Sequence, residues 1–329
     1  MTRSERSRSD VLAAGHEGGG RVAAGATAPA ALDLAALDAA VERAIARGIA
    51  TGLRVLGFGE ISLVIGWPTE RPVVAAKRLP VFAGPATVST YAELLAGYVR
   101  ELSDRGVDVL PTEVRSVTSP AGPHVYLLQP LVPRERVLTQ LLAAASEERG
   151  AALLERLVEI VCATVDPRLG LDAQAGNWAV DGERLALFDV STPLMRSIDG
   201  RDLIDLSVFL SIYPWALRAL LRPVAHQVMG QYHDARTVLL DVASNLHKEE
   251  LGRWLPAFLS AANERVSPPI APDEVRRYFR HDRALWLLMQ RLRRADRAWQ
   301  RAVRRRSYPF LLPPPYRYGP MTPPEEDSP

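Results

Sequence analysis

Residues 170–189 read GLDAQAGNWAVDGERLALFD, and this stretch decides the fold predicted for the whole chain. The apolar runs WAV and LALF flank the dipeptide DG, a pattern that predicts a β-hairpin with a two-residue loop. Closing the hairpin brings Asp189, after the second strand, back toward Asn177 and Asp172, which precede the first. Two carboxylates and an amide oxygen are hard ligands that suit Mg²⁺ shared with phosphate oxygens.

The spacing of these residues resembles that of the protein kinase and aminoglycoside phosphotransferase superfamily. In that family an Asp-x-x-x-x-Asn loop supplies a catalytic aspartate and a metal-binding asparagine, and a later aspartate binds metal. The resemblance implies that Asp172 is catalytic and that Asn177 and Asp189 hold Mg²⁺. It also implies ATP as the second substrate.

Upstream, LRVLGFGEISLVIGW predicts two short strands joined by a turn that contains Gly57 and Gly59. Glycines allow backbone amides to approach phosphate closely, so this turn resembles the glycine-rich loop that covers the nucleotide in kinases. Ser62 stands at the position of the family's third glycine. A plain hairpin turn is the alternative interpretation.

Lys77 ends the apolar run VVAAK, which resembles the kinase Val-Ala-x-Lys strand. Only Lys77 and Lys248 are lysines among the 40 basic residues, so lysine at this position is notable. A primary ammonium beneath the glycine turn can reach the α and β phosphates. The alternative is a solvated lysine on an edge strand.

The helix predicted within TVSTYAELLAGYVRELSDRG corresponds to the family helix that carries the partner of this lysine. Glu93 is favoured because it lies in mid-helix, and Glu101 is the other candidate; for both, an ordinary solvated charge is the alternative. Further on, LPTEVRSV and HVYLLQPLV predict two strands leading to a hinge. In the family, backbone groups of this hinge bind adenine, which here implies Gln129 and Leu131.

The distance from Asp189 to Asp205 indicates which branch of the superfamily fits. It is only 16 positions, too short for the peptide-docking segment of protein kinases. The sequence therefore favours a small hydroxylated acceptor, with Arg196 and Arg201 available for an anionic group or acting as ordinary loop charges. Asp205 resembles the phosphotransferase aspartate that braces the catalytic loop.

Two departures from the family support an alternative function. Gly170 stands where a histidine commonly precedes the catalytic aspartate, and Val190-Ser191 replaces the glycine that commonly follows the metal-binding aspartate. A catalytically inactive nucleotide-binding or scaffold protein is therefore the second hypothesis.

Composition limits the class of protein and its partners. The chain has 329 residues and is 47% hydrophobic, which favours a globular protein with two lobes or domains. The single cysteine, Cys162, excludes an internal disulfide framework and fits a reducing, cytoplasmic location. No apolar run is long enough for a transmembrane segment, and a net charge of +2 does not indicate nucleic acid as a partner. The partners expected are a nucleotide and a small-molecule acceptor.

The last predicted helix carries an apolar stripe with arginines from Arg291 to Arg306 on its other side. Such a helix could bind a membrane surface, an anionic substrate or nucleic acid, and a solvated docking helix is the favoured interpretation. The stripe consists of Leu285, Leu288, Leu292, Ala295, Trp299 and Ala302.

Together these patterns predict an α+β, two-lobed protein kinase-like fold. A disordered tail over residues 1–30 precedes an N-terminal lobe of helix and antiparallel sheet over 31–130. A helical C-terminal lobe containing the catalytic hairpin follows over 131–306, and a proline-rich tail covers 307–329. The reaction implied is transfer of phosphate from ATP to an alcohol.

Overall fold

The computed structural model describes residues 32–59, 62–211, 213, 215–305, 308 and 310–312. The tail predicted over 1–30, and most of the tail over 307–329, lie outside these residues. The described chain has a mixed α+β fold. Its helices are α1 (Leu34–Arg47), α2 (Pro85–Asp104), α3 (Leu138–Ala144), α4 (Glu147–Thr164), α5 (Leu206–Leu210), α6 (Trp215–Gln231), α7 (Ala235–Lys248), α8 (Leu255–Asn263) and α9 (Pro272–Ala302). Its strands are β1 (Arg54–Phe58), β2 (Leu63–Trp67), β3 (Val74–Arg78), β4 (Asp108–Val109), β5 (Glu113–Val117), β6 (His124–Pro130), β7 (Trp178–Asp181) and β8 (Arg184–Leu187).

Two sheets organise the described strands. The first has five antiparallel strands in the order β1-β2-β3-β6-β5, so β3 lies at its centre. The second has the order β4-β8-β7, with β4 parallel and β7 antiparallel to β8. The hairpins expected from the sequence around Gly57 and after Asn177 are confirmed. The second turn differs by one position, because Asp181 pairs with Arg184 and leaves Gly182-Glu183, not Asp181-Gly182, as the loop.

Helix α1 begins and ends at the residues that its sequence indicates. The Asp33 carboxylate accepts a hydrogen bond from the Ala36 N–H at 2.8 Å, and Gly48 ends the helix with φ +71°. This left-handed conformation suits glycine. The buried side of α1 packs on one face of the five-stranded sheet, in a cluster that includes Val41, Ile65 and Tyr126.

The other face of the sheet belongs to the main apolar core. There Val125 and Leu127 of β6 share one buried cluster with Leu95 of α2, Leu157 of α4 and Val242 of α7. Alternation along β6 explains the division, because successive side chains of a strand point to opposite faces. The sheet is thus covered on both faces, by α1 on one and by the main core with α2, α4 and α7 on the other.

Helix α9 packs through a different side from the one that its leucine pattern indicates. Leu288 and Trp299 of the predicted stripe are 51% and 46% exposed, while Gln290 and Arg293 are buried. Part of the predicted proline-rich tail is also packed, since Tyr308 and Leu311 are buried. Within the described ranges, no helix has the length and hydrophobicity needed to cross a membrane.

Candidate functional site

The centre of the site is a contact between Lys77 of β3 and Asp189, which follows β8. The Lys77 ammonium donates to both carboxylate oxygens of Asp189 at 2.7 Å and to the Ser191 hydroxyl at 2.8 Å. The side chain of Lys77 is 11% exposed and that of Asp189 30%. Strand alternation turns Lys77 away from α1, since its neighbours Ala76 and Arg78 are buried on the α1 side.

The carboxyl group of Asp189 is held in its charged form. Burial raises its pKa, but the charge and hydrogen bonds of Lys77 and the hydrogen bonds from Ser191 lower it further, so the pKa lies below the ordinary value. A carboxylate in this state can serve as a cation ligand across the neutral pH range.

The hairpin of β7 and β8 links Asn177 to Asp189. The Phe188 N–H donates to the Asn177 carbonyl at 3.0 Å. Asp189 follows Phe188 directly, so it lies at the same end of the hairpin as Asn177. The Asn177 amide Nδ2 in turn donates to the Asp172 carbonyl at 3.2 Å. Trp178, fully buried, anchors the turn by donating to the Ala173 carbonyl at 3.2 Å. The three residues that sequence analysis grouped together are therefore joined through one hydrogen-bonded turn.

The segment before Asp172 is held too tightly for a side chain at Gly170. A Cβ atom there would lie 2.9 Å from the Tyr232 carbonyl oxygen and 3.1 Å from atoms of His233 and Leu194. The Gly170 carbonyl accepts a hydrogen bond from the buried Tyr98 hydroxyl at 3.0 Å. A histidine at this position, as in the superfamily that the sequence resembles, would therefore have no room, and the Tyr98 hydrogen bond holds the segment in place.

The glycine turn lies across the sheet from Lys77. Gly57 pairs with Val64, and Val64 pairs with Lys77, so the three residues form a row across three strands. Two strand spacings separate Gly57 from Lys77 by roughly 10 Å. The Gly59 N–H donates to the Ser62 carbonyl at 2.9 Å, and a Cβ at Gly59 would lie 2.3 Å from the Ser62 hydroxyl oxygen. The tip of the turn, residues 60–61, is outside the described residues.

Gln129 connects the sheet to the same region through its side chain. Its amide Nε2 donates to the Phe188 carbonyl at 2.6 Å and to the Thr112 hydroxyl at 2.8 Å. Leu131, also predicted at the hinge, is partly buried just after β6. The side chain of Gln129 therefore braces the residue before Asp189, a role that the backbone-based prediction did not include.

Helix α2 reaches the site through a tyrosine. The structure does not bring Glu93 to Lys77: Glu93 and Glu101 are both exposed, and Lys77 contacts Asp189 and Ser191. Instead the buried Tyr91 hydroxyl donates to the Ser191 carbonyl at 2.8 Å. The spacing of Tyr91 and Tyr98, seven positions apart on the apolar side of α2, was a sequence signal for this role.

Asp241 of α7 is a further acidic group beside the loop that sequence analysis missed. Its carboxylate accepts a hydrogen bond from Gln174 Nε2 at 3.0 Å. Burial, together with the negative charge of Asp282, raises the pKa of Asp241 to about 6, although Gln174, Lys248 and Tyr278 act in the opposite direction. The loop that begins at Asp172 therefore contacts, through Gln174, a carboxyl group whose pKa is raised to about 6.

Among the residues after Asp189, Asp205 differs from its expected role, and two arginines take the ordinary structural role that was one of their two interpretations. Asp205 is exposed and accepts a hydrogen bond from the Ser207 N–H at 2.9 Å, so it caps α5 instead of bracing the loop; it also lines a cavity of about 140 Å³ between α2 and α5. Arg196 pairs with the largely buried Asp202 at 2.8 Å. Arg201 pairs with Asp199 at 2.6 Å. The interpretation of these two arginines as ordinary structural charges is thus favoured.

A second polar cluster lies on the opposite face of the sheet. Asp38, Glu42 and His124 are close enough to hold a cation, but Arg78 already pairs with Asp38 at 3.4 Å and with Glu42 at 2.7 Å. Burial raises the pKa of Asp38, and hydrogen bonds from His124 and Tyr126 with the charge of Arg78 lower it below its ordinary value. This network ties α1 to the sheet.

Comparison with known proteins then assigns the chain to a family. The sequence model of DUF6206, which is described as a family of unknown function, matches residues 36–297, more than half of the chain. The chain belongs to the DUF6206 family. The DUF6206 region contains every residue of the site described above. No curated protein matches the chain.

Proposed function

We propose that the protein is an ATP-dependent phosphotransferase that acts on the hydroxyl group of a small molecule. The observation that carries the proposal is the contact of the Lys77 ammonium with both oxygens of Asp189 at 2.7 Å. These residues come from distant parts of the chain, and each is the type that phosphoryl transfer requires. In this proposal residues 31–130 form the small lobe and 131–306 the helical lobe of a kinase-like fold.

The donor set of the site fits a magnesium ion. Asp189 offers a carboxylate held in its charged form. The Asn177 amide donates to the Asp172 carbonyl through Nδ2, so Oδ1 is the atom of this side chain that would bind the ion. Oxygen ligands of this kind suit Mg²⁺. When bound with ATP, Mg²⁺ would neutralise phosphate charge. Lys77 lies where its ammonium can exchange Asp189 for phosphate oxygens.

Asp172 is the residue proposed to handle the proton. As the acceptor oxygen forms its bond to the γ-phosphorus, the bond from that phosphorus to the bridging oxygen breaks and ADP departs. The hydroxyl proton passes to the Asp172 carboxylate. Gln174 and Asn177 hold the Asp172 segment, since the Gln174 N–H donates to the Asp172 carboxylate at 3.4 Å.

The test is phosphate transfer from labelled ATP to a panel of hydroxylated small molecules, with generic protein substrates alongside. We expect labelled small-molecule product, and Asp172→Asn should lower turnover by about 10²-fold or more while ATP still binds. The exposed Asp104→Asn is the matched control. Equal turnover in wild type and Asp172→Asn would remove the catalytic role, and efficient labelling of proteins alone would indicate the wrong acceptor class.

A catalytically inactive nucleotide-binding protein is the second candidate. Two observations favour it: Lys77, Asp189 and Ser191 already satisfy one another, and the position of Gly170 admits no histidine. This candidate predicts an increase in melting temperature with ATP and Mg²⁺, without turnover, and the same increase in Asp172→Asn.

A further inference from the structure

The outward side of α9 is apolar in its second half. Leu288 and Trp299 are 51% and 46% exposed, and Val303 just beyond the helix is 63% exposed. At 100° per residue, all exposed positions from Ala284 to Ala302 except Arg301 fall within an arc of about 100°. The arc consists of Ala284, Leu288, Arg291, Ala295, Ala298, Trp299 and Ala302.

The other side of the same helix carries two buried polar residues, Gln290 and Arg293. Gln290 is 4% exposed, and neither its amide oxygen nor its amide nitrogen has a hydrogen-bond partner among the described residues. Arg293, one turn further on, is 3% exposed and lies with Gly59 and Ser62 around a small cavity. A helix in water favours the reverse orientation, because buried polar groups cost free energy and exposed apolar groups gain none. The outward face is therefore suited to another surface.

Positive charge surrounds the apolar arc. Between Arg291 and Arg305 the sequence has seven arginines and one acidic residue, Asp296. Arg291, Arg301, Arg304 and Arg305 are exposed. Burial and then the like charges of Arg297 and Arg293 lower the pKa of Arg294.

We propose that the outward face of α9 binds an anionic lipid bilayer. The apolar arc would lie at the boundary of headgroups and acyl chains, with Trp299 at the interface and the arginines on lipid phosphates. The helix lies on the bilayer and does not cross it. In a symmetric contact with a second copy, the arginines beside the apolar arc would face the same arginines of the other copy and repel them. Nucleic acid would bind the arginines but leave the apolar arc exposed to water. This proposal is independent of phosphate transfer.

The test is sedimentation of the full chain with vesicles of phosphatidylcholine alone or with about one third phosphatidylserine. We expect binding at least tenfold stronger to the anionic vesicles, and weaker binding in high salt. Leu288→Ser with Trp299→Ser should reduce binding at least tenfold, whereas Ile198→Ser, at a residue 91% exposed elsewhere, should not.

A charge variant separates the lipid from other occupants. Arg291→Gln with Arg305→Gln should reduce binding to anionic vesicles about tenfold, and the exposed pair Arg71→Gln with Arg100→Gln is its control. Equal binding of wild type to both vesicle types would overturn the proposal. So would a dimer in sedimentation velocity that Trp299→Ser dissociates, because that result assigns the face to a second copy. Urea unfolding of each variant checks that the fold is retained.

Discussion

The Lys77 ammonium lies 2.7 Å from both carboxylate oxygens of Asp189, across 112 positions of sequence. This ion pair joins the central strand of the five-stranded sheet to the end of the β7–β8 hairpin. Ser191 completes it, because its hydroxyl lies 2.8 Å from both Lys77 Nζ and Asp189 Oδ1. The sheet and the loop after the hairpin therefore meet at one charged contact.

Lys77→Ala and Asp189→Ala are expected to weaken binding of ATP with Mg²⁺. One variant removes the phosphate contact and the other a metal ligand, so each affinity should fall about 10- to 100-fold. Calorimetric titration measures the effect, and Lys248→Ala, which removes the other lysine, is the control. Unchanged affinity in both variants would contradict the proposed nucleotide site.

Tyr91→Phe should destabilise the protein where Glu93→Gln does not. The first change leaves the Ser191 carbonyl without its 2.8 Å hydrogen bond in a buried place, at a cost of about 1–3 kcal/mol. Glu93 is exposed, so its replacement should change the free energy of unfolding by less than about 0.5 kcal/mol. Urea unfolding measures both. If Glu93→Gln instead weakened ATP binding as much as Lys77→Ala, the glutamate would be the partner of the lysine in the bound state.

Asp241→Asn should stabilise the protein above about pH 6. The folded pKa of Asp241 is raised from 3.8 to about 6, so its favourable contribution is complete below pH 3.8 and is lost as pH rises through about 6. Asparagine does not titrate, so at pH 8 the free energy of unfolding of the variant should exceed that of wild type by up to about 3 kcal/mol. Urea unfolding at pH 4 and pH 8 measures it, with Asp104→Asn as the exposed control. A variant that is less stable than wild type at pH 8 would show that the carboxylate is needed in its charged form.

Arg78→Met should be strongly destabilising. It leaves Asp38 buried beside Glu42 without its guanidinium partner, which costs about 3–5 kcal/mol. Adding Asp38→Asn should restore part of the loss, because the uncompensated charge is then absent. Denaturant unfolding compares these variants with the exposed Arg71→Met. A loss below about 1 kcal/mol would mean that the network contributes little to the packing of α1.

Local sequence was sufficient for much of the fold and for grouping the residues of the candidate site. Asp33 and Gly48 mark the ends of α1 because capping and left-handed glycine depend only on neighbouring residues. The hairpin after Asn177 follows from two apolar runs and a turn, although its loop proved to be Gly182-Glu183. Asp172, Asn177, Asp189 and Lys77 were found because their chemistry and order along the chain are visible without coordinates.

Contacts between distant segments were decided by the tertiary structure alone. Glu93 and Tyr91 both lie on α2, but the rotation of that helix against the loop after β8 buries the tyrosine and exposes the glutamate. The packing of α9 was also decided by distant contacts. Its leucine pattern predicts that one face is buried, but the buried face is the one that carries Gln290 and Arg293. A hydrophobic pattern describes what a helix could bury; which side it does bury depends on the surfaces that the remaining chain presents.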